Sequence, residues 1–99
     1  MTFPRLTFEF DPAKAAANLL KHGISFREAM TAFDDPLAQT FPDELHSEDE
    51  DRSITIGLSS KNRLLFISHR EIENVIRLIG ARRATATEKK AYEKLKKRS

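Results

Sequence analysis

The sequence contains no cysteine, only three histidines and no long apolar run. Without cysteine the chain has neither disulfides nor thiolate chemistry, and the dispersed histidines do not suggest a structural zinc site. No segment approaches the roughly 20 apolar residues of a membrane-spanning helix, and the chain does not begin like a signal peptide. We therefore expect a cytoplasmic protein without membrane segment, metal or cofactor, folded as one domain over residues 1–99.

Charge is distributed unequally along the chain, although the net charge is only +2. Residues 1–60 contain five Lys and Arg against eleven Asp and Glu, whereas residues 61–99 contain twelve against four. A basic half of this size is suited to binding phosphates and indicates a nucleic-acid partner rather than a fold. The acidic run 43–51 around His46 predicts a hydrated loop. Because this run lacks EF-hand spacing and a second histidine, we favour contact with a basic partner segment over a metal site.

The first part of the chain predicts a strand followed by a helix. Residues Leu6–Phe10 alternate apolar and polar side chains, as a half-buried strand does. Asp11 as N-cap and Pro12 at the first helical position begin a helix to about Lys21, which Gly23 ends. Its predicted buried stripe is Ala13, Ala16, Ala17 and Leu20, and its second, polar stripe is Lys14, Asn18, Lys21 and His22.

The rest of the chain predicts a second helix, a group of strands and a last helix. A capping box at Ser25 and Glu28 begins the second helix, and Pro36 follows its end. A short edge strand is expected at 37–41, and apolar patterns predict three further strands at 53–58, 64–69 and 75–81. A second capping box, from Thr85 to Glu88, opens a weakly anchored helix to about Lys97.

This order of elements predicts an α+β fold. We expect an antiparallel sheet of about four strands, with two N-terminal helices packed on it and a C-terminal helix. The strands at 64–69 and 75–81 are apolar on both faces, so the sheet should be covered on both sides.

Arg77 interrupts a central strand, where an ionised side chain is rare unless it is paired or functional. The structural alternative is an ion pair to Glu9 or Glu88, or a strand end at the surface. Arg82 and Arg83 follow the same strand, and their planar guanidinium groups can hold a phosphate with two parallel hydrogen bonds.

The polar stripe of the first helix is the second candidate site, because it aligns ammonium groups, an amide and an imidazole. Its alternative is an ordinary solvated helix face. His22 lies at the helix C-terminus, where the helix dipole favours imidazolium, and His69 at a strand end is the competing histidine. The sequence has no Gly-rich phosphate loop, nucleophile elbow or paired metal-binding histidines.

The order of elements and several motifs resemble the BrnT family, toxins of bacterial toxin–antitoxin modules related in fold to the RelE and ParE toxins. The motifs are Phe10-Asp11, Lys14, Asn18, Lys21-His22-Gly23, Ser25-Phe26, Phe33-Asp34-Asp35-Pro36, Ile56-Gly57, Ile76 to Arg82, Ala84-Thr85, Glu88 and Tyr92. The chain departs from the family where Phe10 replaces the usual tryptophan and Gly80 a common serine. The segment Ser68–Glu71 also departs from the usual hairpin.

The resemblance implies a metal-independent endoribonuclease held in a stable complex by a BrnA-like antitoxin. That complex represses their shared operon, so operator DNA is contacted only through it, and it can contain a toxin dimer. In RNA cleavage of this kind the 2′-hydroxyl attacks the neighbouring phosphate, which requires a base and cationic stabilisation. We assign Arg77 and Arg82 to the phosphate, Lys21 to the RNA backbone, and His22 or Glu88 to proton transfer. We expect Arg77, Arg82, Lys21 and His22 to share one cleft, with Lys14, Asn18 and Arg83 as further RNA contacts.

Two other functions fit the same sequence. One is a ParE-like toxin that acts by binding a protein such as a topoisomerase, because function does not follow from fold. The other is a non-catalytic binding module that only holds the antitoxin.

Overall fold

The protein is described by a computed structural model, which covers residues 6–46 and 51–96. The strands are β1 (Thr7–Glu9), β2 (Gln39–Pro42), β3 (Arg52–Leu58), β4 (Leu64–Ile72) and β5 (Val75–Arg83). The helices are α1 (Pro12–His22), α2 (Phe26–Ala32) and α3 (Ala86–Lys96), and a short 3-10 turn spans Glu44–His46. The predicted end of the last helix at Lys97 and part of the acidic run, residues 47–50, lie outside the described residues. Within the described residues, none of the helices is long and apolar enough to span a membrane.

The sheet has the strand order β1-β5-β4-β3-β2 and is mixed. Three neighbouring pairs are antiparallel, but β1 runs parallel to β5, with Phe8 opposite Ile76 and Glu9 opposite Arg77. The predicted α+β class is confirmed, but the predicted antiparallel sheet of about four strands is not exact, because the sheet has five strands and one of its four pairings is parallel. Alternation along β1 predicts a strand, but its partner lies 68 residues further along the chain, beyond the reach of a local pattern.

Helices cover both faces of the sheet, as the apolar central strands predict. On the helical face, α1 and α2 enclose the larger core cluster: Ile24, Phe26, Ala29, Ala32, Leu65, Ile67, Ile76, Leu78 and Ala81. On the opposite face, called the α3 face below, Tyr92 of α3 packs with Ile54, Ile56 and the half-buried Leu37, Leu64 and Phe66. Successive strand residues point to opposite faces of the sheet. The two clusters therefore show to which face the other side chains of the same strands point.

Helix α1 is rotated relative to the prediction. The four residues expected to be buried, Ala13, Ala16, Ala17 and Leu20, are all exposed, and Asn18 of the polar stripe is buried instead. The Asn18 amide donates to the carbonyls of Ile24 and Ala81, both at 2.9 Å, and accepts from the Ala81 N–H at 3.0 Å. Since β1 pairs only with residues 75–77, this amide satisfies the unpaired edge of β5 beyond them. These hydrogen bonds hold Asn18 inward, while Lys14, Lys21 and His22 of the same predicted stripe remain exposed.

The two predicted capping boxes differ in the structure. At α3 the exchange is complete, because Thr85 Oγ1 accepts from the Glu88 N–H and Glu88 Oε1 accepts from the Thr85 N–H. At α2 only Ser25 caps the helix, accepting from the Glu28 N–H at 3.0 Å. The buried Glu28 carboxylate instead accepts from Arg63 and Ser59. It thereby connects α2 to the turn between β3 and β4.

Candidate active site

Arg82 and Glu88 form a fixed pair on the α3 face. Arg82 Nη1 donates to Glu88 Oε1 at 2.9 Å and Nη2 donates to Oε2 at 3.0 Å, a two-point contact. The guanidinium carbon lies 3.9 Å from the centroid of the Phe66 ring, so the cation also stacks on an aromatic face. The Arg82 side chain remains 34% exposed and Glu88 21%. The pair is therefore held from two sides and still open to a ligand.

The electrostatics of the pair favour an ionised carboxylate. The hydrogen bonds from Arg82 lower the pKa of Glu88 below its ordinary value, against an opposing effect of burial, and the Thr85 N–H adds to the lowering. Glu88 is consequently an anion at neutral pH.

Beside this pair the α3 face opens into a cleft of about 500 Å³. Its lining residues are Phe41, Pro42, Asp43, Glu44, Leu45, Ile54, Phe66, Arg82 and Glu88.

One wall of the cleft depends on α3, which is held at Tyr92. The Tyr92 side chain is buried and donates from its hydroxyl to Asp35 Oδ2 at 2.6 Å. Burial and the neighbouring carboxylate raise the pKa of Tyr92 to about 12. The helix that the sequence predicted to be weakly anchored therefore has one firm attachment.

Arg77 lies on the same face of the sheet as Arg82 but in a different concavity. Its Nη1 donates to Glu9 Oε1 at 3.1 Å, and both side chains are about half exposed. The two arginines are five residues apart, so a regular strand would point them to opposite faces. A bulge resets the alternation, because Ser68 pairs with Gly80 but His69 pairs with Leu78, leaving an extra residue in β5.

Two further arginines on this face were not singled out from the sequence. Arg70 of β4 lies directly opposite Arg77, and Arg52 of β3 lies directly opposite Arg70. Like charges directly opposite in a sheet repel, and carboxylates approach both ends of this row: Asp43 lies 3.2 Å from Arg52 and Glu9 3.1 Å from Arg77. The row is visible only once the register of the two hairpins is known. We name Arg52, Arg70 and Arg77 the arginine row.

The predicted residues of α1 do not join Arg77 and Arg82 in one cleft, and that expectation was wrong. Lys14, Lys21 and His22 are exposed on a helix that packs on the helical face, whereas both arginines point to the α3 face. The sheet thus separates the two groups. The buried, fully hydrogen-bonded amide of Asn18 is not available to RNA, so its place in the structure is that of a connector between α1 and β5.

Arg83 and His69 also lie apart from the Arg82–Glu88 pair. Arg83 is exposed and lines another concavity with Arg63 and Lys89. His69 is 1% exposed, and its Nε2 lies 2.7 Å from Thr55 Oγ1. Burial lowers the pKa of His69 to about 4. It is therefore a neutral core histidine. Across residues 6–46 and 51–96, no group of three or more histidine, aspartate and glutamate side chains is arranged to hold a metal ion.

Fold and site together define a small α+β protein with helices on both faces of a mixed sheet and an arginine-rich sheet face. The family model described as "Ribonuclease toxin, BrnT, of type II toxin-antitoxin system" matches residues 10–88, and the chain belongs to this family. Membership in a type II system implies an antitoxin partner and an RNA target.

Among solved structures the chain is similar to the Brucella abortus ribonuclease toxin BrnT. The TM-score is 0.65 and the sequence identity 20%, and the match covers 82% of this chain and 99% of that chain. At this identity the similarity shows a common fold. No curated protein matches the chain.

Proposed function

We propose that the protein is a metal-independent endoribonuclease whose reaction takes place at Arg82 and Glu88, and that a BrnA-like antitoxin neutralises it. The observation that carries this proposal is the two-point Arg82–Glu88 pair at the edge of an open cleft. It combines a fixed cation and an ionised carboxylate, the two groups that cleavage by a 2′-hydroxyl requires.

In the proposed step Glu88 accepts the proton of the RNA 2′-hydroxyl as its oxygen attacks the adjacent phosphorus. The bond from phosphorus to the 5′-oxygen breaks, that oxygen takes a proton from water, and the hydroxide that remains takes the proton from Glu88. The products are a 2′,3′-cyclic phosphate and a 5′-hydroxyl end. Arg82 stabilises the charge that develops on the phosphate oxygens, and Phe66 and Glu88 hold it in place beforehand, so little reorganisation is needed.

The arginine row supplies a second contact for the same RNA strand. Arg77 and Arg82 point to the same face and are separated along β5 by roughly 15 Å at about 3.3 Å per residue. A single strand running along this face meets Arg82 at the reacting phosphate and the row at a phosphate a few nucleotides away. Phe41, at the cleft and 40% exposed, offers a ring on which a base can stack.

Lys14, Lys21 and Arg83 stay predictions as RNA contacts, and His22 stays a prediction as a catalytic residue. We favour Glu88 over His22 as the base, because the Glu88 carboxylate contacts Arg82 whereas His22 lies across the sheet from it. We also propose a cytoplasmic protein that contacts operator DNA only through its antitoxin complex, with a toxin dimer inside that complex. Light scattering of the co-purified complex measures the stoichiometry.

The test is RNA cleavage by the purified protein in excess chelator, with the product ends determined. The proposal predicts cleavage that resists the chelator, 2′,3′-cyclic phosphate ends, and no cleavage where the attacking 2′-hydroxyl is methylated. Cleavage that stops with the chelator, or that leaves 3′-hydroxyl ends, contradicts it. Growth arrest without RNA cleavage would support the ParE-like alternative instead.

A further inference from the structure

The outer face of α1 is apolar, and within residues 6–46 and 51–96 it stays exposed. Leu20 is 90% exposed and Leu19 51%, and Ala13, Ala16 and Ala17 are exposed beside them. At 3.6 residues per turn, Leu20 lies about 160° around the helix axis from the buried Asn18, so the apolar side points away from the protein. We call Ala13, Ala16, Ala17, Leu19 and Leu20 the outer α1 face.

This orientation is held in place. A half-turn rotation of α1 would bury the outer α1 face, but it would break the hydrogen bonds of Asn18 to Ile24 and Ala81. Buried backbone groups left without partners cost about 1–3 kcal/mol each. The chain therefore keeps its apolar helix face in water, which is typical of a surface that another molecule covers.

A groove adjoins this face and extends it. It has a volume of about 210 Å³ and runs between α1 and the start of α2, with Phe10 and Phe26 in its floor and Leu19 at its rim. An apolar side chain of a partner that lies along α1 can enter here.

The charges around the outer α1 face are basic. The ionisable residues within α1 are Lys14, Lys21 and His22, all exposed, and Arg27 borders the groove. Asp11, which precedes α1, is used as the N-cap and accepts from the Ala13 N–H. A partner that covers the outer α1 face therefore meets cations along the edge of this face. Carboxylates on the partner would complement these cations.

We propose that the outer α1 face docks an acidic amphipathic helix of the antitoxin. The alanines let a second helix approach closely, its apolar side chains meet Leu19, Leu20 and the groove, and its carboxylates face Lys14 and Lys21. The inference rests on the chain being a toxin with a protein antitoxin. Since this face and the Arg82–Glu88 pair lie on opposite sides of the sheet, docking and catalysis are separable by mutation.

The cognate antitoxin is co-expressed with the toxin and then separated from it. The experiment measures its affinity for the wild-type toxin and for the Leu20→Glu variant. Leu45→Glu is the matched control, because Leu45 is 93% exposed and lies on the other side of the sheet. We expect Leu20→Glu to weaken binding at least tenfold, Leu45→Glu to leave it unchanged, and free Leu20→Glu to cleave RNA at the wild-type rate.

Two results would overturn the proposal. One is an unchanged affinity for folded Leu20→Glu. The other is a wild-type toxin that dimerises by itself and becomes monomeric on Leu20→Glu, because a second copy would then be the occupant. If the antitoxin affinities follow the expectation but no variant cleaves RNA, the docking site stands and the proposed ribonuclease function fails.

Discussion

Asn18 shows how one side chain can replace a strand partner. Its amide donates to and accepts from Ala81, on the edge of β5 that β1 leaves open, and also binds the carbonyl of Ile24. We expect Asn18→Ala to lower the free energy of unfolding by about 2–3 kcal/mol, because it leaves buried backbone groups unpaired. Urea denaturation measures this loss. Lys21→Ala, on an exposed position of the same helix, should change it by less than about 0.5 kcal/mol. Equal stability of Asn18→Ala and the wild type would contradict the role of this amide.

His69 makes the stability of the fold sensitive to acid. Its pKa is about 4 in the folded protein against an ordinary value of 6.5, so the folded state binds fewer protons than the unfolded state between these values. Stability is then greatest above pH 6.5 and decreases as the pH falls towards 4. From pH 7.5 to pH 5 we expect a loss of about 2 kcal/mol from this side chain.

The measurement is urea denaturation across that pH range for the wild type and His69→Gln. The glutamine variant can still contact Thr55 but does not titrate, so most of the pH dependence between 5 and 7 should disappear. The same slope in both proteins would show that His69 is not the group responsible.

Arg82 and Glu88 are both candidates from the sequence, but the residues around them in the structure are not the ones expected. Glu88 follows Arg82 by six residues and belongs to a capping box, which is a local pattern. Asn18, in contrast, matches an exposed polar stripe, and only the unpaired edge of β5 explains its burial. Arg70 becomes noticeable only once its register opposite Arg77 is known.

Among the elements, the contact between α2 and β3 depends on Gly57, which has no side chain. A Cβ at Gly57 would lie 2.5 Å from the Ala32 carbonyl oxygen and 3.1 Å from Ala38 Cβ. Gly57→Ala must therefore displace α2, and we expect a loss of about 1–3 kcal/mol in stability. Gly80→Ala is the matched control, since the nearest atom, Asn18 Oδ1, is 3.6 Å away. Thermal unfolding should separate the two, and equal melting temperatures would contradict this contact.

The type of each element was easier to predict than its pairing. The start of α1 at Asp11 and Pro12 and the start of α3 at Thr85 follow from local capping chemistry, and both occur where predicted. The parallel pairing of β1 and the bulge in β5 depend on contacts between distant segments. That bulge places Arg82 on the same face of the sheet as Arg77.

In the molecule as a whole, the sheet separates the two surfaces to which we assign different functions. The α3 face presents Arg82, Glu88 and the arginine row, and the helical side presents the outer α1 face with its basic edge. The charge asymmetry of the sequence predicted a phosphate-binding half, and the arginines of β4 and β5 belong to it. The charge asymmetry did not predict that Lys14 and Lys21 would lie across the sheet from these arginines. Composition does not determine to which face of the sheet a residue belongs.

The most direct test of the proposed site compares single-turnover RNA cleavage by Arg82→Ala, Arg77→Ala and Lys90→Ala, each checked for folding by circular dichroism. Loss of a preorganised charge at the reacting phosphate should slow the Arg82→Ala reaction by about 100-fold or more at saturating RNA. Arg77→Ala should mainly weaken RNA binding, and Lys90→Ala, on an exposed position of α3, should react like the wild type. A folded Arg82→Ala protein that cleaves at the wild-type rate would contradict the assignment of the active site.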